Sequence, residues 1–546
     1  MKIGIIVGST DISKFNVAID PSKYKNVKIG SIVKFEVDGK EAYGIITNIT
    51  IKSTNPLDIA SEYSSLELFV QKLKGVEQLI LAEVKVLGVL DEKKRFRKLD
   101  FPPLPGTDVF LASEEEIKEI YGISEEKWKY ITVGKILGGY SIEPALDKRE
   151  IIIKHLAVFG VTGSGKSHTI AVLTSKLLEH GIPVVIFDVH RDYIPTFKDP
   201  IIITFDEREK RYLERFHKDR RGDSNPKIEI VKLKLYEIAS YLPDILGISP
   251  QAHPYLYLLL DAALKNKPVS LADLKETIKD KRKILGQLRK EFVDPRMLEE
   301  LDKKFDSARA SLITRLHRLE KWKIVPQSVK EGQYLSIDDI IKLKESEEIL
   351  EVEGEAIEAS EGFIEKGKPL IVDLFPLSLE EQRVLIDIFL NKLFEYWKEL
   401  KKENRHIPIV IVIEEAHRFA AKDVKVSKML GTIAREGRKF GIGLWLVSQI
   451  PSKISEDIIS QINTFIFLRL TNPKDLTFIR KSCPYLSEEY LETITKFDRG
   501  EALIVGLGVR QPVLVKIEER AIIGGSEKEI EDKLKELYES SSNRGG

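Results

Sequence analysis

The sequence predicts an α/β chain: a phosphate-loop nucleotide-binding core on a parallel-type central sheet, headed by a small β-barrel and interrupted by a helical insertion. Three observations carry that prediction. Residues 160–167 read GVTGSGKS, the pattern G-x-x-x-x-G-K-[ST], set between an apolar run and a helical stretch. From about 151 onward, short buried runs alternate with helical periods, as in a parallel sheet covered by helices. Before that, short β-branched runs punctuated by Gly, Asp and Asn fill the chain without a long helix.

Taken in order, residues 1–110 form the predicted barrel, from KIGIIVG, GSIVKFEVDG, AYGIITNITI and LILAEVKVLGVL. The stretch FPPLPGTDVF (101–110) reads as a linker, stiffened by Pro102, Pro103 and Pro105. Residues 111–204 hold a short helix (EEEIKEIYG), the approach VGKILGG, and the first part of the core. There HLAVFG is a strand, SHTIAVLTSKLLEHG a helix stopped by Gly181, and IPVVIFDVH a buried strand. The alternation then lapses. Residues 205–345 read as a helical insertion, in segments such as SLADLKETIKDKRKILGQLRKEF and DSARASLITRLHRLEKW. Their charges are mixed in sign, which predicts a solvated helix surface. Residues 346–525 supply the second part of the core: PLIVDLF, a helix opened by a Ser378/Glu381 capping box, then IPIVIVIEEAH, GIGLWLVSQ, NTFIFLRL, GEALIVGLG and PVLVKIEE. The tail, 526–546, reads as a short amphipathic helix and a loose end, SSSNRGG.

Composition narrows the class. Of the 546 residues 32% are charged, against about 25% in an average globular protein. Together with the richness in Lys, Glu and Ile this matches a thermophile composition. Lys+Arg and Asp+Glu are each 86, so the balance gives no argument for a polyanionic partner, while permitting a local basic channel. The single cysteine, Cys483, excludes an intrachain disulfide or a cysteine-rich metal site and reads as a buried, inert thiol. No apolar run approaches the ~20 residues that span a bilayer, so the reading is cytoplasmic, with no membrane partner.

The chemistry sits in four motifs. In the phosphate loop Gly160, Thr162, Gly163, Ser164, Gly165, Lys166, Ser167 and His168 are the candidate nucleotide-binding residues. Glycines let backbone N–H groups face the phosphates of ATP, Lys166 reaches the β and γ phosphates, and Ser167 ligates Mg²⁺. In IPIVIVIEEAH a buried strand ends in Glu414 and Glu415, at the edge where open α/β sheets bind ligands. Glu414 takes the place of the Mg²⁺-associated acid, and Glu415 that of the carboxylate that polarises the attacking water. In IAREGRKFGIGLWLVSQ, Arg435 and Arg438 lie three apart, on one face if helical, and one of them is a candidate finger supplied to a neighbouring subunit. Gln449 closes that strand as a candidate γ-phosphate sensor. In IFDVHRDY, the cluster Asp188, His190 and Asp192 suits a supporting role around metal or water.

Together the phosphate loop, VIEEAHRF, IAREGRKFGIGL, VSQ and IFDVH resemble the HerA family of hexameric DNA translocases, related to FtsK. The N-terminal strands, with YGIITNIT, resemble the barrel that heads those proteins. The resemblance implies a RecA-like ATPase core in a homohexameric ring, ATP and Mg²⁺ as cofactors, movement along double-stranded DNA, and a NurA-type nuclease partner in DNA end resection and repair. It implies Lys166, Ser167, Glu414 and Glu415 as motor residues, Arg438 as the trans finger, Gln449 as sensor, and final strands that brace a neighbouring subunit. Where some relatives carry an arginine before the phosphate-loop strand, this chain has Lys154. Lys422, Lys425 and Lys428, in AAKDVKVSK after the acid strand, are candidate DNA contacts if that segment is a loop facing a pore. The alternative reading is a nucleotide-regulated ring scaffold that presents an effector.

Overall fold

The N-terminal strands alternate apolar and polar side chains, and that period-two pattern curls them around a core. They are β1 (Lys2–Val7), β2 (Lys14–Ile19), β3 (Ile32–Val37), β4 (Lys40–Ser53), β5 (Gln78–Leu90), β6 (Phe96–Arg97) and β7 (Asp108–Leu111). The sheet runs β2-β1-β7-β3-β4-β5, and β5 pairs back onto β2, so six strands close into a barrel with β6 added on β5. Inside lie Phe15, Val17, Val33, Phe35 and Val84, with Phe15 and Phe35 edge to face at 4.7 Å between centroids. The computed structural model describes residues 1–53, 78–90, 96–122, 128–220, 225–291, 294–328, 330, 334–344, 351–352, 355–356 and 362–519. The expected tail, 526–546, lies outside them.

The expected linker is partly a barrel strand. β7 pairs antiparallel with β1 and β3, Phe110 standing opposite both Lys2 and Lys34. Without it the edges of β1 and β3 would be left with unpaired backbone groups, which closure removes. The prolines are confined to the approach, which is stitched to β1 by Gly106 N–H on the Ile6 carbonyl at 2.8 Å.

The chain divides into two compact units, Met1–Lys176 with the described residues after Leu446, and Leu177–Leu446. In the first, the strand Leu156–Phe159 runs parallel to Thr464–Phe467. That strand is followed by antiparallel neighbours, Glu501–Gly506, Val513–Ile517 and Gly134–Ile136. The final strands pair with one another and with Gly134–Ile136, and their apolar residues are buried. Cys483 is buried as expected, and burial pushes its thiol up to about 12.

In the second unit the main sheet is parallel, in the order Lys227–Ile230, Ile201–Thr204, Pro369–Asp373, Val184–Asp188, Ile409–Ile413, Ile442–Ser448, with a separate antiparallel pair, Glu351–Val352 and Glu355–Ala356. The central runs VVIFD, PLIVD and IVIVI are buried throughout, as strands covered on both faces must be. The alternation does not lapse at 205. Ile201–Thr204, the helix Glu207–Arg220 and Lys227–Ile230 extend it. The charged sequence around KIEI hides an edge strand that carries few apolar residues. The helices of the insertion begin beyond it and include Leu242–Leu246, Pro254–Leu264, Leu271–Lys279, Lys281–Lys290 and Pro295–Leu316, packed through Leu259, Leu274, Leu288, Leu301 and Leu312. The helix Leu379–Lys402 opens with the expected Ser378/Glu381 capping box. Gly181, at φ 72°, lies just past the end of the helix Lys166–Glu179.

Candidate functional site

Each unit carries one part of the expected chemistry. In the first, the buried strand LAVF ends at Gly160 and the loop turns back on itself. Gly163 and Gly165 stand at φ 77° and 107°, the left-handed region that side chains disfavour. A Cβ on Gly160 would lie 2.5 Å from Ser164 Oγ and 2.9 Å from Leu468 Cβ. The Val161 carbonyl accepts from Ser164 Oγ at 2.7 Å and from Lys166 Nζ at 3.1 Å, which sets the lysine against its own loop. Ser167 sits in the first turn of the helix, half-buried.

Thr162 and Gln449, 287 residues apart, meet here: the threonine hydroxyl donates to Gln449 Oε1 at 2.6 Å. Gln449 therefore sits against the phosphate loop. His168 turns elsewhere. Its Nε2 lies 2.7 Å from the Glu518 carbonyl, and because a carbonyl only accepts, that nitrogen carries the proton. Lys154 pairs with Glu150 at 2.7 Å.

In the second unit, three neighbouring parallel strands each end in an acid: Asp188, Asp373 and Glu414. Asp188 and Asp373 stand opposite each other in register, and both are fully buried. The Asp188 carboxylate shapes its own loop, accepting from the backbone N–H groups of His190, Asp192 and Tyr193 at 3.2, 3.2 and 3.0 Å. Glu414 accepts from Val189 N–H at 2.9 Å. Burial first, then Asp192, raises Asp188 to about 6. Burial first, then Asp188, raises Glu414 well above the usual carboxylate range. Asp373 is also raised by burial, although Arg191 opposes this.

Arg191 grips Asp373 with Nε at 3.0 Å and a terminal nitrogen at 2.6 Å, and reaches Glu209 at 2.7 Å. Glu415, next along the chain from Glu414, stands at φ 48°, a left-handed conformation that costs about 1–2 kcal/mol for a residue with a Cβ. That turn brings its carboxylate to 3.7 Å from His190 Nε2 and 3.0 Å from His417 Nδ1. The nearby Glu415 carboxylate raises the His190 pKa. The acids thus do not open an ordinary surface helix: the strand leads into a short 3-10 turn, Ala416–Arg418, with Glu415 buried.

Sequence reasoning passed over Asp373, Arg191 and His417. Asp373 had a signal: PLIVD repeats the pattern of an apolar run closed by an acid that singled out Glu414. Arg435 and Arg438 are exposed, the first in the last turn of the helix Lys425–Glu436 and the second on the 3-10 turn Gly437–Phe440. The segment of the three lysines is a loop only at Lys422. Lys425 and Lys428 belong to the helix Lys425–Glu436, which forms because Val426, Met429, Leu430 and Ile433 bury one face. Lys425 is engaged, 3.5 Å above the Tyr241 ring.

Comparison with known proteins agrees with this anatomy. The family described as "HAS barrel domain" matches residues 3–92, and "Helicase HerA, central domain" matches residues 131–393. The "DNA double-strand break repair helicase HerA" of Sulfurisphaera tokodaii is 30% identical over 99% of this chain and 97% of its own. That of Pyrococcus furiosus is 30% identical over 94% and 92%. Among solved structures, the plasmid coupling protein TrwB with ADP and Mg²⁺ aligns over 75% of this chain and 93% of its own, at 16% identity and a TM-score of 0.46. With a barrel, a phosphate loop and acid-tipped strands in place, and relatives matching along nearly the whole chain, this chain belongs to the HerA helicase family and is a phosphate-loop ATPase of the helicase type.

Proposed function

We propose that the chain is an ATP-driven translocase of double-stranded DNA, working as a homohexamer in DNA end repair beside a NurA-type nuclease. The observation that carries turnover, rather than mere nucleotide holding, is Glu415: a carboxylate turned by a left-handed backbone and flanked by two imidazoles. A scaffold that only grips ATP has no use for such a base.

The loop fits a triphosphate. Its glycines stand where a Cβ would strain or collide, so backbone N–H groups can approach phosphate oxygens. Lys166, now on a carbonyl of its own loop, can swing to the β and γ oxygens. Ser167 and Glu414 offer oxygen donors, the type Mg²⁺ takes. When bound, that ion neutralises charge on the phosphates. Glu415 orients and deprotonates the attacking water, worth about 10²–10⁴ in rate. Gln449, tethered through Thr162, senses whether the γ-phosphate is present. Arg438 is exposed and reaches a neighbouring subunit's nucleotide, where a finger supplied in trans adds about 10³–10⁵.

The test is ATP hydrolysis with and without blunt duplex DNA. Stimulation is expected. An unchanged rate, with nuclease present or absent, overturns the motor and favours the scaffold. Mixing Arg438→Ala with Lys166→Ala subunits should restore some activity; none at any ratio removes the trans finger.

A further inference from the structure

Across 205–345 the charges are mixed in sign, but the structure sorts them by helix. The helix Pro295–Leu316 neutralises itself: Lys303 pairs with Glu299 at 2.8 Å, Lys304 with Glu300 at 3.5 Å and Arg309 with Asp306 at 3.1 Å. Lys279 takes Glu276 at 2.9 Å and Lys281 takes Asp302 at 2.7 Å. The helix Lys281–Lys290, KRKILGQLRK, differs in containing no carboxylate of its own. Its apolar side, Ile284, Leu285 and Leu288, is buried. Arg282, Lys283, Arg289 and Lys290 are exposed, and none forms an ion pair among the described residues. Asp302 feels the charge of Arg289, but its hydrogen bond goes to Lys281.

These four share one face. At about 100° per residue, Arg282 and Arg289 fall on one side of Gly286 and Lys283 and Lys290 on the other, within an arc of about 120° centred on the glycine. A Cβ at Gly286 would meet nothing within 4 Å, so the middle of the face is bare backbone open to solvent. From Arg282 to Lys290 the face is about 12 Å long. Phosphates of one DNA strand advance about 3.4 Å each along the duplex axis, so it spans three to four of them.

We propose that this face binds the phosphate backbone of duplex DNA, as a contact on the insertion separate from the ATPase machinery. The inference rests on the DNA reading under Proposed function. Charge complementarity selects a polyanion. The face has no side chain suited to reading bases, since its one amide, Gln287, is already bonded to Asn266 at 3.2 Å. Binding is therefore independent of sequence, holding the duplex without specifying it.

The test measures binding of the full chain to a blunt duplex of mixed sequence at several salt concentrations. Replacing all four residues (Arg282→Gln, Lys283→Gln, Arg289→Gln, Lys290→Gln) should lower the log–log salt slope by about 3 to 4, close to 0.9 per lost phosphate contact. DNA-independent ATPase activity should not change. Gly286→Glu is the second variant: it has room, gains helix propensity, and puts a carboxylate in the centre, so duplex binding should weaken while Gly286→Gln binds as wild type. A wild-type slope in the fourfold variant overturns the inference. So does loss of binding to phosphatidylserine vesicles with duplex binding intact, which would assign the face to a lipid surface. Failure of the wild type to bind duplex at all overturns instead the DNA reading beneath it.

Discussion

The phosphate-loop strands and the acid-tipped strands place polar chemistry at the ends of buried strands by opposite means. Around Gly160–Ser167 the contacts are made by backbone and hydroxyls: Ser164 on the Val161 carbonyl, Thr162 on Gln449. No ion pair holds them, and the loop's own turn needs only well-placed glycines. Around Asp188, Asp373 and Glu414 the groups are carboxylates with almost no access to water. Each needs a donor: Asp188 takes those of its own turn, 190–193, while Glu414 and Asp373 take theirs from distant segments, Val189 N–H and the Arg191 fork. The loop's own bend is set by its glycines, whereas two of the three buried acids depend on donors from distant segments.

That contrast is open to direct attack. Lys166→Ala should remove grip and turnover together, turnover falling by about 10³, with nucleotide affinity followed by calorimetry and hydrolysis by phosphate release. Glu415→Gln should leave affinity intact and lower turnover by about 10²–10⁴. If Glu415→Gln loses nucleotide affinity as well, the division between grip and hydrolysis is wrong.

Stability sharpens it further. Asp373→Ala leaves the Arg191 guanidinium, half-buried and bonded also to Glu209, without its main partner. Breaking a buried pair costs about 3–5 kcal/mol, to be read from denaturant unfolding. Thr162→Val removes an exposed hydrogen bond and should cost no more than about 1 kcal/mol, while slowing turnover through Gln449. Equal losses of stability from the two substitutions would erase the contrast.

The same contrast explains what was legible in the sequence. GVTGSGKS, Gly181, the Ser378/Glu381 box and the run into Glu414 are local patterns whose physics lies within a few residues, and each appears where its pattern places it. The strand Lys227–Ile230 was not legible, because KIEI at a sheet edge needs only alternate burial and sits among charges. β7 was hidden behind three prolines, which mark a turn but leave the conformation of the next residues unspecified. β2, with Lys14 and Asn16 facing outward, is held by pairing on both sides with β1 and β5. The register that sets Asp188 opposite Asp373, and the arginine between Asp373 and Glu209, depend on segments some 180 residues apart, which no local pattern encodes.

The smallest effect tests the finest point, how Glu415 is restrained. Its carboxylate, 3.7 Å from His190, raises the imidazole pKa above its ordinary value, helped by the nearby Asp192 and Asp188. A histidine raised in this way contributes stability that is complete below its unfolded value and is lost as pH rises through the folded one. His190 is 49% exposed, so that contribution is screened to a few tenths of a kcal/mol. The kinetic consequence is larger. While His190 is charged it holds the Glu415 carboxylate; once it loses its proton, the base is released to the water. Turnover should therefore climb as pH rises through the raised pKa of His190, and in His190→Gln that limb should flatten, with His417 still 3.0 Å from the other carboxylate oxygen to keep Glu415 in place. Nucleotide affinity should not track the limb, because the loop's contacts through Ser164 and Thr162 are hydroxyls that do not titrate there. Affinity that rises and falls with turnover across the same pH range would mean that grip and hydrolysis are one coupled unit, and that the separation drawn between the two sets of strands does not hold.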